Sequence, residues 1–339
     1  MSFDVSLSKP VFILYTGLTA SGYDLAEKYA PPEGMLKTLI QDIRDQEWPE
    51  DALDYFRHAR LEGRGVNPYW PRAAMLLKAA FHLAIKEPGK PAEYDDETEV
   101  RVSIYRFPTE PDNKAADTVE WVVQYPRFHS LIEESPALEA LWRRFSGWMT
   151  PEELEPFRSA AQEAVVWLES ELGIAPEDIP DFTVVPNPLQ AVQIADFVRK
   201  DVRLYAVLAK ARPQSIAHEL LHSVFEMAIA RQKAAIAGPH TELLKKPVTE
   251  AMIRMQYAWD DGPESWLRVF EETLVRAATI WMAHRDNPDE GDNLAMDESG
   301  DGFVYVPAIL RAFREDWKGP GEIDAFVLKC LERTKQVAI

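Results

Sequence analysis

Apolar residues recur at helical spacing through most of the chain, and only a few stretches carry the β-branched and aromatic runs that favour strands. Those stretches are 11–15, 99–106, 119–124, 182–186 and 203–209, each predicted to be extended. The helical patterns carry their own punctuation. Thr150-Pro151-Glu152-Glu153 reads as a capping box with proline at the first helical position. Phe157, Ala161, Ala164, Val165 and Leu168 follow at helical spacing, and Gly173 is a plausible stop. Further helices are predicted at 266–281, 307–317 and about 322–335, whereas 86–97, 108–115 and the acidic stretch 286–301 read as loops. The sequence has neither an internal repeat nor a low-complexity linker. The pattern predicts a helix-rich α+β fold, with an N-terminal α+β region over 1–125 packed on a second region over 126–339 as one compact unit.

Composition excludes several classes. Of 339 residues, 46% are hydrophobic and 27% charged, so the chain can bury a substantial core and is not disordered. Lys and Arg number 37 against 56 Asp and Glu, a net charge of −19. That surplus of acid argues against nucleic acid and anionic lipid as partners, both of which need a basic face. The single cysteine, Cys330, rules out an intrachain disulfide and a cysteine-rich zinc site. No apolar run approaches the roughly 18 residues of a membrane span, and 11–15 is shorter than a signal core. A soluble, cytoplasmic protein is expected.

One motif carries chemistry. Residues 215–224 read Ser-Ile-Ala-His-Glu-Leu-Leu-His-Ser-Val, which contains His218-Glu219-Leu220-Leu221-His222, an H-E-x-x-H pattern. On a helix, residues i and i+4 lie on one face about 6 Å apart, so two imidazoles can chelate one tetrahedral zinc ion. Glu219 sits one step round from His218, able to reach a water beside the metal without binding the metal itself, as a general base must. In a chain with seven histidines, about 0.01 such matches arise by chance. Pro213 suits a first helical turn, and Ile216, Leu220, Leu221, Val224 and Phe225 give the motif an apolar surround.

Zinc needs a third ligand. Residues 226–232 hold no histidine, so the three-histidine arrangement is excluded and a carboxylate on a second helix remains. The mostly apolar segment 266–281 holds two acids, Glu271 and Glu272, and a ligand role would offset the cost of burying one of them. Helical periodicity favours Glu271, which shares a face with Leu267, Leu274, Val275 and Ala278. Glu272 shares its face with Arg268 and Arg276.

With Glu272 placed 50 residues after His222, the motif resembles that of the gluzincin metallopeptidases. Ile216–Phe225, Glu272-Thr-Leu-Val-Arg-Ala277 and Gly302-Phe-Val-Tyr-Val-Pro307 together resemble, more narrowly, an uncharacterised bacterial family of gluzincin type. The resemblance extends through Tyr55-Phe56 and 126–170. It implies a zincin-like fold with a small sheet beside the H-E-x-x-H helix, and one Zn²⁺ per chain held by His218, His222 and Glu272. It also implies hydrolase activity and pairs Glu272 with Arg276 four residues on, and a neighbouring arginine suits the supporting partner that metal ligands commonly require. Tyr305 is a second catalytic candidate, as a hydrogen-bond donor to a developing oxyanion, against a strand tyrosine packed between Phe303 and Pro307. The expected function is zinc-dependent hydrolysis of a peptide or protein substrate with Glu219 as general base. The alternatives are a non-catalytic, metal-stabilised binding protein and a hydrolase of a non-peptide amide. Asp297–Gly302 opens like an EF-hand loop, but the twelfth position is Ala308 where a glutamate is required, so no calcium site is expected.

Overall fold

A computed structural model describes residues 1–61, 67–84, 91–105, 115–255 and 257–337 of the chain. It divides into two compact units. One joins Phe3–Ser159 to Phe182–Ala211; the other joins Met1–Ser2 and Ala160–Asp181 to Arg212–Ile339. The units therefore interleave along the sequence, whereas the expected regions 1–125 and 126–339 run consecutively.

The first unit is organised round the helix Lys9–Ala20. Ser8 caps it, its hydroxyl accepting from the Val11 N–H at 3.4 Å, and Pro10 lies in its first turn. Every residue from Val11 to Thr19 is buried, so this helix is enclosed by neighbours rather than laid on a surface. Gly17 allows the closest approach: a Cβ there would collide with the Phe56 ring. Residues 11–15 are thus helical, not extended. A short apolar run suits a buried strand and a buried helix equally, and Ser8-Lys9-Pro10 decides for the helix.

Two more predicted strands are helices. Segment 99–106 falls in the helix Glu97–Tyr105, up to its last residue, Arg106, which lies outside the described residues. The Asp96 carboxylate accepts from the Glu99 N–H at 3.0 Å, and Arg101 ties Glu97 to Glu120. Segment 119–124 falls in Ala115–Val123 up to its last residue, Gln124, which is in a turn; Val119 and Val122 are buried at a spacing of three, with Glu120 exposed between them. Of the expected loops, 86–90 and 108–114 lie outside the described residues, and 91–96 holds only an isolated bridge from Tyr94 to Leu83.

Among the described residues the unit's sheet has four strands, β1 (Phe3–Val5), β2 (Asp181–Pro186), β3 (Ala195–Lys200) and β4 (Arg203–Leu208), in the order β1-β2-β4-β3. β1 runs parallel to β2, with Phe3 opposite Phe182 and their rings stacked at 5.3 Å. β3 and β4 form a hairpin whose turn holds Asp201 at φ 53°. β2 and β4 match the predicted 182–186 and 203–209; β1 and β3 are too short or too weakly patterned to stand out.

The second unit is helical. Its two longest wholly contained helices are the motif helix, Pro213–Arg231, and the glutamate helix, Pro263–Ala283, and they pack along each other. Ile216, Ala217, Leu220, Leu221 and Phe225 on the first and Trp266, Phe270, Leu274, Val275 and Ala278 on the second are buried. Trp266 meets its polar requirement by donating Nε1–H to the Ile236 carbonyl at 2.7 Å. The predicted 307–317 and 322–335 appear as Val306–Asp316 and Ile323–Lys335. The acidic stretch 286–301 is mostly helix, Pro288–Asp301, and not a loop. Asn287 caps it, Pro288 fills its first turn, Asp289 and Glu290 face its positive end, and Gly302 at φ 119° ends it. The whole is α+β and helix-rich, with the sheet in one unit and the motif helix in the other.

Candidate metal centre

The motif helix begins where Arg212 is extended and Pro213 presets the first turn, so 218 and 222 project from one face a turn apart. The imidazole rings of His218 and His222 lie 5.1 Å apart at 74°. The glutamate helix brings Glu272 against both. Its Oε1 is 3.5 Å from His218 Nε2, and its Oε2 is 3.6 Å from His222 Nε2. The three ligand atoms lie within 4.8 Å of one another, and no other three His, Cys, Asp or Glu side chains meet in this way among the described residues. Zinc bonds of about 2.0–2.1 Å at tetrahedral angles separate ligand atoms by about 3.3 Å. Two nitrogen donors and a carboxylate at these separations could hold such an ion.

The two acids of the glutamate helix separate cleanly. Glu272 is the buried one, its side chain 6% exposed, and it faces the histidines. Glu271 lies 2.9 Å from His222 Nδ1 on the outer side of the ring. With its Nδ1–H donated to Glu271, His222 turns Nε2 toward Glu272. The residue that periodicity favours is thus the support of a ligand position, a role its sequence context gives no sign of.

Charge reinforces the geometry. Burial disfavours the ionised form of Glu272, but Arg276, His218 and His222 outweigh it and hold the carboxylate well below its usual range. Burial pulls His218 below the ordinary histidine value despite Glu272. Burial opposes the charge on His222 too, yet its hydrogen bond to Glu271 and the charges of Glu272 and Glu219 raise it to about 9. A proton and a metal ion compete for that nitrogen. Glu219 is buried at 7% exposure, near enough to His222 for its charge to be felt there.

Tyr305 does not join this group. It is buried at the start of the helix Val306–Asp316, with its ring edge-on to Trp266 and its hydroxyl donating to the Leu243 carbonyl at 2.6 Å. A phenol whose proton is held by a carbonyl has none to offer an oxyanion, so the expected catalytic role gives way to packing. Among the described residues no helix is long and apolar enough to cross a membrane. Compared with family models, curated proteins and solved structures, the chain matches none of them.

Proposed function

We propose that the protein is a zinc-dependent hydrolase, acting on the peptide bond of a peptide or protein substrate. The observation that carries this reading is the meeting of Glu272 with both imidazole Nε2 atoms, from a helix 50 residues away in sequence. His218, His222 and Glu272 would hold the ion. When bound, zinc supplies Lewis acidity, making water more acidic and a carbonyl more electrophilic. The chain's own part is then proton transfer. Glu219 is adjacent to a ligand and is not one, so its carboxylate takes a proton from the attacking water and hands it to the leaving amine. Glu271 holds the His222 ring so that the same nitrogen always faces inward.

The general base separates this reading from a metal-stabilised binding protein, because a purely structural site has no use for Glu219. The purified protein should contain about one zinc per chain. The Glu219→Gln variant should keep its zinc and its thermal midpoint while hydrolysis of a peptide library falls by about 10²-fold or more. A variant that hydrolyses as fast as wild type would falsify the catalytic assignment.

A further inference from the structure

Arg276 lies one turn beyond Glu272 on the same helix, and three protein groups take hydrogen bonds from its guanidinium. Nε donates to Glu272 Oε1 at 2.9 Å, Nη1 to Glu298 Oε2 at 2.7 Å, and Nη2 to the Tyr257 hydroxyl at 3.0 Å. The guanidinium also lies over the Phe303 ring at 4.1 Å and the Tyr257 ring at 5.3 Å. Four chain segments therefore converge on one cation: the glutamate helix, the acidic helix with Glu298, the turn after it with Phe303, and the segment holding Tyr257.

A guanidinium keeps its charge at any ordinary pH and presents a rigid planar fork, so it fixes whatever accepts from it. One of the groups it fixes here is the candidate metal ligand. Oε1 of Glu272 accepts from Arg276 and lies 3.5 Å from His218 Nε2, while Oε2 has no hydrogen-bond partner among the described residues and lies 3.6 Å from His222 Nε2. A glutamate with both oxygens loose can chelate through the pair and fill two coordination positions. One with Oε1 tied down offers a single oxygen.

We propose that Arg276 is the positioning residue of the metal centre, resting on the zinc reading above. By taking up Oε1 it would favour Oε2 as the oxygen that Glu272 offers the ion, so that the glutamate would supply a single donor. Glu298 and Tyr257 hold Arg276 in place, which makes the acidic helix part of the site's support.

The test uses the full chain with Zn²⁺ in competition against a chromophoric chelator, and Co²⁺ in place of zinc as a spectroscopic probe. Arg276→Gln should weaken zinc binding about 10–100-fold. Its cobalt absorption should lose intensity as Glu272 swings to two-oxygen binding and the coordination number rises. Arg276→Lys should fall between, since one ammonium cannot span three acceptors. Glu298→Gln with Tyr257→Phe, which leaves the contact to Glu272 intact, should shift both readouts in the same direction and less. An Arg276→Gln protein that folds and keeps wild-type affinity and cobalt spectrum overturns the assignment. Should Arg276→Gln not fold, the Glu298→Gln/Tyr257→Phe protein decides, and unchanged readouts overturn it. Wild type that takes up no zinc removes the metal reading and this one together. Wild type that binds zinc no tighter than Arg276→Gln removes this one alone.

Discussion

Glu271 and Glu272 are neighbours in sequence and face opposite problems. Glu272 is buried and offsets that cost against Arg276 and two imidazoles; Glu271 stays partly exposed and orients one ring. Glu272→Gln should therefore abolish measurable zinc binding, while Glu271→Gln should weaken it about 10–100-fold, both read by zinc titration. The reverse order would mean Glu271 is the ligand. Helical periodicity points to Glu271 and the motif to Glu272, and the disagreement has a physical reason. Arg268 and Arg276 make the face of Glu272 look solvent-exposed, but a buried ion pair reads in sequence like a wet surface. A half-buried carboxyl away from this site, Asp196 in the sheet, gives a pH signature. Burial raises it from 3.8 to about 6, only partly opposed by the Gln190 amide 2.7 Å away. The folded chain thus binds that proton more tightly than the unfolded chain. The resulting stability is complete below about pH 3.8 and is lost as pH rises through about 6. Above that, the half-buried charge costs on the order of 1–3 kcal/mol. Asp196→Asn should therefore raise the urea midpoint at pH 8 and change it little at pH 4, and an equal effect at both values would exclude this ionisation.

At the scale of elements, the acidic helix shows what its caps decide. Its composition suggests a solvated loop, yet Asn287-Pro288-Asp289-Glu290 is a helix start and Gly302 a helix stop. Those signals are legible in the sequence, and the run of acids masks them. Gly302 is doubly constrained, because φ is 119° and a Cβ would lie 2.7 Å from Met252 Cε and 2.8 Å from Ala251 Cβ. Gly300, two residues earlier and helical, has nothing within 4 Å of the place a Cβ would take. Gly302→Ala should therefore destabilise by about 1–3 kcal/mol through strain and collision. Gly300→Ala should be neutral or stabilising by about 0.5–1 kcal/mol. Urea unfolding of the pair checks this, and equal effects would remove the cap from the account. Residues 11–15, 99–105 and 119–123, helical where strands are expected, have the same lesson. Their apolar content suggests strands, while capping by Ser8 and Asp96, and a spacing of three between Val119 and Val122, carry the deciding information.

At the scale of the whole molecule, the helix-rich α+β class is legible because it depends on summed periodicity, and so is the H-E-x-x-H helix. The interleaving of the two units is not, since it depends on a strand hairpin returning to a unit that the chain has already left. The candidate metal centre lies wholly within the unit formed by Met1–Ser2, Ala160–Asp181 and Arg212–Ile339. Zinc there would join two helices 50 residues apart and stabilise only states in which both are folded and packed. A net charge of −19 attracts divalent cations generally, so a control with Mg²⁺ is needed to separate site binding from surface screening. Hydrogen exchange supplies the distinction. Zinc should slow exchange in Pro213–Arg231 and Pro263–Ala283, where opening requires release of the ion, and should leave Lys9–Ala20 in the other unit unchanged. Mg²⁺ should leave exchange in both helices unchanged, because an octahedral, oxygen-seeking ion gains little from two imidazoles. Protection spread evenly over both units, or equal protection by Mg²⁺, would mean that zinc acts on the charged surface and not at His218, His222 and Glu272.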